Sequence, residues 1–344
     1  MKANELRLKF MLQLFAQPQP IDTLNKTTNV SSGADMSPTM KTFYDTSLLE
    51  NARENMVYDQ FADKQHMKGN KVEWRKFNTF EKALTPLQEG VIPSGKTFGM
   101  TKIEASTTQH GDYVAVTDRL ELESYDDVIY GASEEMGAAE GETYDTLTRN
   151  VIIAGNSVAY AGGKTSRSTL TNTDVLTPKL VNQAATWLKK NKAPKFEGNS
   201  YVALIHPSVS YDLRETDEWK DFHKNNDSYE AIFKGEIGML HGVRFVETNT
   251  AKIWAKAGAK ATASEGSEVA VYATLFLGKK AYGILDPEGE GMEMIIKTKD
   301  QIGGPLNQFS TIGYKFCHGA KILYQERILR VESGSSFGSI DEEN

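Results

Sequence analysis

Apolar and polar positions change their period several times along the chain, and each change marks an element. Behind Ser37-Pro38, which reads as an N-cap and first helical position, Met40, Phe43, Tyr44, Leu48, Ala52, Met56 and Phe61 recur at helical spacing. This predicts a helix to about Ala62. Val72-Glu-Trp-Arg-Lys-Phe77 alternates as a strand, and Thr101, Ile103, Ala105 and Thr107 alternate with polar residues as its return. Between them Pro86, Gly90, Pro93, Gly95 and Gly99 exclude a regular element. The whole reads as one long hairpin excursion. It has too little apolar surface to be stable alone and must lie on something.

Asp112–Asp118 predicts another strand, after which Asp126 can cap a long helix. Val128, Ala132, Met136, Ala139, Thr143, Leu147 and Val151 then share one stripe, and residues 126–154 would span roughly 43 Å. Gly131, Gly137 and Gly141 weaken that helix, so packing must stabilise it, and Gly155 is its stop. A glycine-rich link, Ala161-Gly-Gly163, leads into a mixed segment, 164–300. That segment holds a helix at Pro178–Lys190, a buried strand at Tyr201–Ile205 and a helix after Pro207. Strands follow at Val243–Glu247, Val269–Thr274 and Met292–Lys297. Gln308 to Glu332 is strand-rich. Residues 1–36 form a polar arm with an apolar patch at Leu6–Phe15. Ser333–Asn344 is a polar, acidic tail expected to be mobile.

The length of 344 residues, 39% of them hydrophobic, allows a sizeable core in more than one packed unit. A net charge of −7 argues against a protein that grips nucleic acid through its phosphates. The single cysteine, Cys317, excludes an internal disulfide framework. No apolar run approaches the roughly 20 residues that span a bilayer, so no membrane partner is expected. The start, Met1 to Ala16, resembles a signal peptide superficially, but Gln13 interrupts its apolar core and no small-residue cleavage site follows.

Motifs for chemistry fail on register. Gly162-Gly-Lys-Thr165 has Val158 where a phosphate loop needs its first glycine, and it follows a helix rather than a strand. Asp286-Pro-Glu-Gly-Glu-Gly291 begins like a calcium loop, but position twelve is Lys297. The histidines at 66, 110, 206, 223, 241 and 318 lack metal-ligand spacing, and His206 reads as a strand-end residue. Gly334-Ser-Ser-Phe-Gly338 is not a nucleophile elbow. No pair of carboxylates stands isolated in an apolar context. No catalytic, cofactor-binding or metal residue is assigned, no cofactor is expected, and the chain does not read as an enzyme.

Several segments, taken in order, carry a resemblance. Phe43-Tyr-Asp-Thr-Ser-Leu-Leu-Glu-Asn-Ala-Arg53, Val72–Phe77, Lys82-Ala-Leu-Thr-Pro-Leu-Gln-Glu-Gly90 and Gly111-Asp-Tyr-Val114 occur in order. They are followed by Tyr160-Ala-Gly-Gly163, His206-Pro207, Gly235-Glu-Ile-Gly238 and Gly242-Val-Arg-Phe-Val-Glu-Thr248. Each is weak alone. In order and spacing they resemble major capsid proteins of tailed bacteriophages, in the N-four-like branch, from about Met40 to Ser336. Leu12-Gln-Leu-Phe-Ala16 also resembles leader segments of capsid proteins from phages of Gram-positive hosts.

The resemblance implies an α+β, Hong Kong 97-type capsid fold. It would comprise an N-terminal arm (1–36), a peripheral-domain helix (37–65), an extended loop (66–111) and a peripheral domain with a long spine helix (112–163). An axial domain (164–300), return strands (301–332) and the tail (333–344) would complete it. It implies a shell protein that self-assembles into hexamers and pentamers of an icosahedral head enclosing double-stranded DNA. Implied partners are other copies, a portal protein, a scaffolding protein and packaged DNA bound without sequence specificity. The implied location is the virion, after assembly in the host cytoplasm. The expected inter-subunit contacts are Leu84, Leu87, Val91 and Ile92, with Glu89 and Lys96 as charged partners and Leu12 and Phe15 in the arm. Two alternatives stay open: an encapsulin-like nanocompartment shell, and an enzyme of unknown type.

Overall fold

The structure, a computed structural model, describes residues 56–344 and Leu24–Asn25, apart from 68, 70, 78–79, 81, 83, 85, 87–88, 91, 93–94, 125–127, 225–234, 263–264, 288–291, 303–305 and 339–340. The strands begin with β1 (Leu24–Asn25), β2 (Asp63–Met67), β3 (Lys71–Phe77), β4 (Met100–Ser106) and β5 (Thr108–Thr117). Helices α1 (Asp118–Glu123) and α2 (Val128–Ile153) follow, then β6 (Val158–Tyr160), α3 (Pro178–Lys190), β7 (Tyr201–Ile205), α4 (Pro207–Arg214) and α5 (Asp217–Lys224). Next come β8 (Glu236–Leu240), β9 (Val243–Glu247), β10 (Ile253–Trp254), β11 (Lys260–Thr262), β12 (Glu265–Glu268), β13 (Val271–Leu277), β14 (Tyr282–Pro287) and β15 (Glu293–Lys297). The chain closes with α6 (Lys299–Ile302), β16 (Phe309–His318), β17 (Ala320–Ile322) and β18 (Ile328–Ser333). The helix expected over 37–62 lies mostly outside the described residues, and its described end is a single 3-10 turn, Tyr58–Phe61.

Two compact units divide the chain. One comprises Met1–Asp45, Asp112–Met136 and Met294–Tyr314, the other Thr46–Gly111, Gly137–Glu293 and Lys315–Asn344. The smaller unit holds most of a four-stranded sheet ordered β1-β5-β16-β15. Thr117 caps α1 by accepting from the Leu120 amide, and the Asp118 amide donates to the Gln308 carbonyl at 2.8 Å.

The larger unit is built on a sheet ordered β6-β18-β13-β7-β9-β8, with β10 also paired to β13. β7 and β13 are buried at every position, because both faces of the sheet are covered. On one face Tyr201, Ala203, Ile205, Phe245, Tyr272 and Phe276 pack with Val181, Ala184, Ala185 and Leu188 of α3 and Val209 and Leu213 of α4. On the other face Val202, Leu204, Val246, Leu275 and Leu277 pack with Tyr58, Phe61, Ile152, Tyr282 and Ile284. The boundaries of α3 follow from its ends: Thr177 caps the Leu180 amide, Pro178 opens the helix, and Lys189 and Lys190 close it. The glycine link at 161–163, expected to separate two domains, lies inside this unit. β6, just before it, pairs with β18.

Two expectations need correction. In the part of α2 within the larger unit, the buried residues are Gly137, Glu140, Gly141, Asp145, Thr148, Arg149 and Ile152, while Ala139 is exposed. The face turned inward is therefore polar, which an apolar stripe cannot reveal. The tail, expected to be mobile, is pinned. Ser333 and Ser335 are fully buried, Ser336 donates to Asp212, and Asp341 accepts from Ser208 and Tyr272 at 2.6 Å each. Asn344 donates to the Asn249 and Ala251 carbonyls and accepts from the Ile253 amide and Arg149. Short-range composition carries no trace of these long-range polar partners.

Candidate inter-subunit surface

The hairpin forms where the alternation places it. β3 and β4 pair antiparallel from Lys71↔Ser106 to Phe77↔Met100. Val72, Trp74 and Lys76 are half-buried and alternate with exposed Lys71, Glu73, Arg75 and Phe77. The half-buried face anchors the base. The Trp74 ring lies 2.9 Å from where a Cβ would stand on Gly283 of β14, so that position accepts no side chain without a shift. Lys76 reaches Glu326 at 3.3 Å and sits 4.4 Å from the centre of the Tyr324 ring. On the outer face Glu73 and Glu104 stand directly opposite each other. Lys102 bridges both carboxylates, which offsets a like-charge pair that would otherwise weaken the ladder.

Away from the base the hairpin carries apolar surface that the subunit does not cover. Phe98 stacks on Phe77 at 4.9 Å and on Phe80 at 5.4 Å between ring centres. All three rings remain more than half exposed, as does Met100, the cross-strand partner of Phe77. Of the residues expected to make contacts, Leu84 and Ile92 are 83% and 94% exposed, and Glu89 and Lys96 are exposed too. Leu87, Val91, Leu12 and Phe15 lie outside the described residues. Phe80 and Phe98 escaped the sequence reading because they flank the strands rather than alternate within them. An aromatic on each side of a proline- and glycine-rich connection was the available signal.

The candidate motifs for chemistry resolve into structural roles. Gly162 and Gly163 have positive φ, and a side chain on Gly162 would overlap Asp174. Asp174 accepts from the Thr171 amide and hydroxyl, and Lys164 leans towards it at 4.0 Å. The segment is a tight turn closed on a carboxylate. His206 caps α4 through the Ser208 amide, and burial lowers its pKa. Residues 288–291 of the acidic turn lie outside the described set, while Asp286 pairs with His66 at 2.9 Å. Among the described residues no group of His, Cys, Asp and Glu is placed to hold a metal ion, and no helix is long and apolar enough to cross a membrane.

Among the described residues Glu140, Asp145 and Glu332 are buried carboxylates. Desolvation pushes Glu140 up to about 7 and Asp145 up to about 6. Asp145 accepts from the Tyr58 amide and the Thr250 hydroxyl at 2.9 Å each, a tie between segments rather than a base poised over a cleft. A cavity of about 340 Å³ opens beside Met56, Tyr144, Leu285, Phe316 and Cys317. Of its charged lining residues, Asp59 and Lys64 pair with each other at 2.5 Å, and Asp286 pairs with His66.

The fold is that of phage capsid shells, an α+β architecture of the Hong Kong 97 type. A chain of the capsid of Ralstonia phage GP4 superposes with a TM-score of 0.65 at 15% identity, covering 90% of this chain and 98% of that one. A chain of the cyanophage Pam1 capsid gives 0.63 at 9% identity, covering 92% and 100%. One from the capsid of cyanophage P-SCSP1u gives 0.58 at 15%, covering 89% and 92%. No curated protein sequence matches the chain. A family model described as phage capsid protein matches residues 97–285. The chain belongs to the phage capsid protein family.

Proposed function

We propose that this chain is the major shell subunit of a tailed-phage head, closing into hexamers and pentamers with the hairpin as its principal inter-subunit clasp. The observation that carries the reading is the exposed hairpin, with its stacked Phe77, Phe98 and Phe80, on a chain of the capsid family. A solvated monomer gains nothing from such a surface, whereas an obligate contact commonly buries about 2,000–5,000 Å² in all. In this reading residues 66–111 are the extended loop, α2 is the spine of a peripheral domain, and the sheet around β13 belongs to an axial domain. Repeated contacts of one surface with a different surface on the next copy close rings. A portal protein, a scaffolding protein, packaged double-stranded DNA and assembly in the host cytoplasm complete the proposal.

Hydrogen exchange tests the clasp. Amides of β3, β4 and Lys96–Gly99 should exchange fast in free subunits and slowly in assembled particles. Equal protection in both states would remove the hairpin from this role.

A further inference from the structure

The face of α3 turned away from the sheet differs from every other helical surface described. Lys179, Asn182, Gln183, Thr186, Trp187 and Lys190 line a shallow groove of about 380 Å³ along it. They alternate steps of three and one along one face, while the opposite stripe of Val181, Ala184, Ala185 and Leu188 is buried in the core. Among the described α-helices, α3 alone has no carboxylate. The run continues past the helix. Residues 178–195 contain five lysines, at 179, 189, 190, 192 and 195, and no Asp, Glu or Arg, in a chain of net charge −7. The next turn adds to it: Lys279, exposed, donates its amide to the Pro194 carbonyl at 2.9 Å. Its neighbour Lys280 is compensated by Asp63 at 3.5 Å. None of the five lysines has a described carboxylate within 4.0 Å.

Dipole complementarity accounts for Lys189 and Lys190 in the last helical turn, but not for Lys179 in the first, where a cation is disfavoured. Nor does it explain the exclusion of acidic residues. The side chains suit a polyanion: cations at both ends of a helix about 20 Å long, with amides and a hydroxyl between them as phosphate-oxygen donors. Lysine without arginine favours a diffuse, hydrated contact over the bidentate pairs typical of protein interfaces. We propose that the α3 groove and its lysine run are the surface through which the subunit touches packaged double-stranded DNA, by phosphate contacts without base recognition. This rests on the shell reading above. It reconciles an acidic subunit with a DNA-filled interior, since only one face engages the duplex and salt releases it.

The test uses the full chain as free subunits and a fluorescent 30-base-pair duplex, followed by anisotropy across salt. The comparison is with a variant carrying Lys→Gln at 179, 189, 190, 192 and 195. Wild type should bind with a log–log salt slope of about −4, weakening by about 10²-fold between roughly 50 and 200 mM salt. The variant should lose most of the binding and most of the slope, and a five-fold Lys→Arg variant should keep both. Absent binding by folded wild-type subunits at low salt, or equal binding by the Gln variant, would overturn the assignment. A Gln variant with unchanged DNA binding but no particles would assign the face to an acidic neighbouring subunit instead. Failure of wild type to form particles would instead count against the shell reading, while the anisotropy result on free subunits would still decide this one.

Discussion

Replacing Phe77, Phe80 and Phe98 together by serine separates subunit folding from shell assembly. The three rings are 57%, 54% and 57% exposed in the subunit. Full burial of such a side chain contributes about 1.5–3 kcal/mol, so covering the exposed part on a neighbour is worth about 1–1.7 kcal/mol per ring. The trio then contributes about 3–5 kcal/mol to each clasp, or about 10²–10⁴-fold in the concentration needed for assembly. Inside the free subunit the loss is confined to the two stacked ring contacts, each worth about 0.5–1.5 kcal/mol. These sit beyond the anchored Trp74 and Lys76 at the hairpin base. Denaturant unfolding of free subunits should therefore shift by no more than about 1–3 kcal/mol. Light scattering against protein concentration should show assembly displaced by two orders of magnitude or more. A variant that assembles at wild-type concentration, or that unfolds before it can assemble, would show that the three rings do not serve the inter-subunit contact.

Glu332 is fully buried and accepts two bonds from Arg167 at 2.7 and 2.8 Å, with Arg330 paired at 2.9 Å. Glu332→Ala strands two cations beside β18 and should cost about 3–5 kcal/mol in urea unfolding. An effect below about 1 kcal/mol would contradict that. His318 is bonded to Thr148 at 2.9 Å, and burial lowers its pKa to about 4. The unfolded chain binds this proton near pH 6.5 and the fold only near pH 4, so the contribution is complete above 6.5 and is lost as pH falls. It should amount to about 3 kcal/mol. His318→Gln should flatten that part of the stability profile between pH 7 and 4, and an unchanged profile would count against it. Asp145, raised to about 6, acts oppositely, because the fold takes up its proton first, and stability from this group rises as pH falls. Lys164→Ala should change stability by less than about 1 kcal/mol and leave particle yield intact. ATP should show no saturable binding in calorimetry, and micromolar binding lost in the variant would overturn the turn assignment.

Much of the fold was legible because local pattern and burial agree. Pro178–Lys190 and Tyr201–Ile205 occupy their expected residues, one from its cap, proline and apolar stripe, the other from an unbroken apolar run. β3 and β4 were visible in alternation alone. What escaped depends on distant partners. No strand was expected over β14, which is completed by parallel pairing with β2 from Gly283↔Asp63 onwards. The inward face of α2 carries Glu140, Asp145 and Arg149, which look like solvent-facing residues on a helical wheel. The tail looks mobile until Tyr272, Ser208 and Arg149 are placed beside it. For the surface, Leu84 and Ile92 were accessible to reasoning from exposure of an unsupported loop. The Phe77–Phe98–Phe80 stack needs the hairpin register before its members can be seen to meet.

Cryo-electron microscopy of the purified chain at high concentration, alone and with a co-expressed scaffolding protein, separates a shell subunit from a monomer. The expected result is closed shells of sixfold and fivefold capsomers, with density for each hairpin lying on an adjacent subunit. A folded chain that stays monomeric under every assembly condition would contradict it.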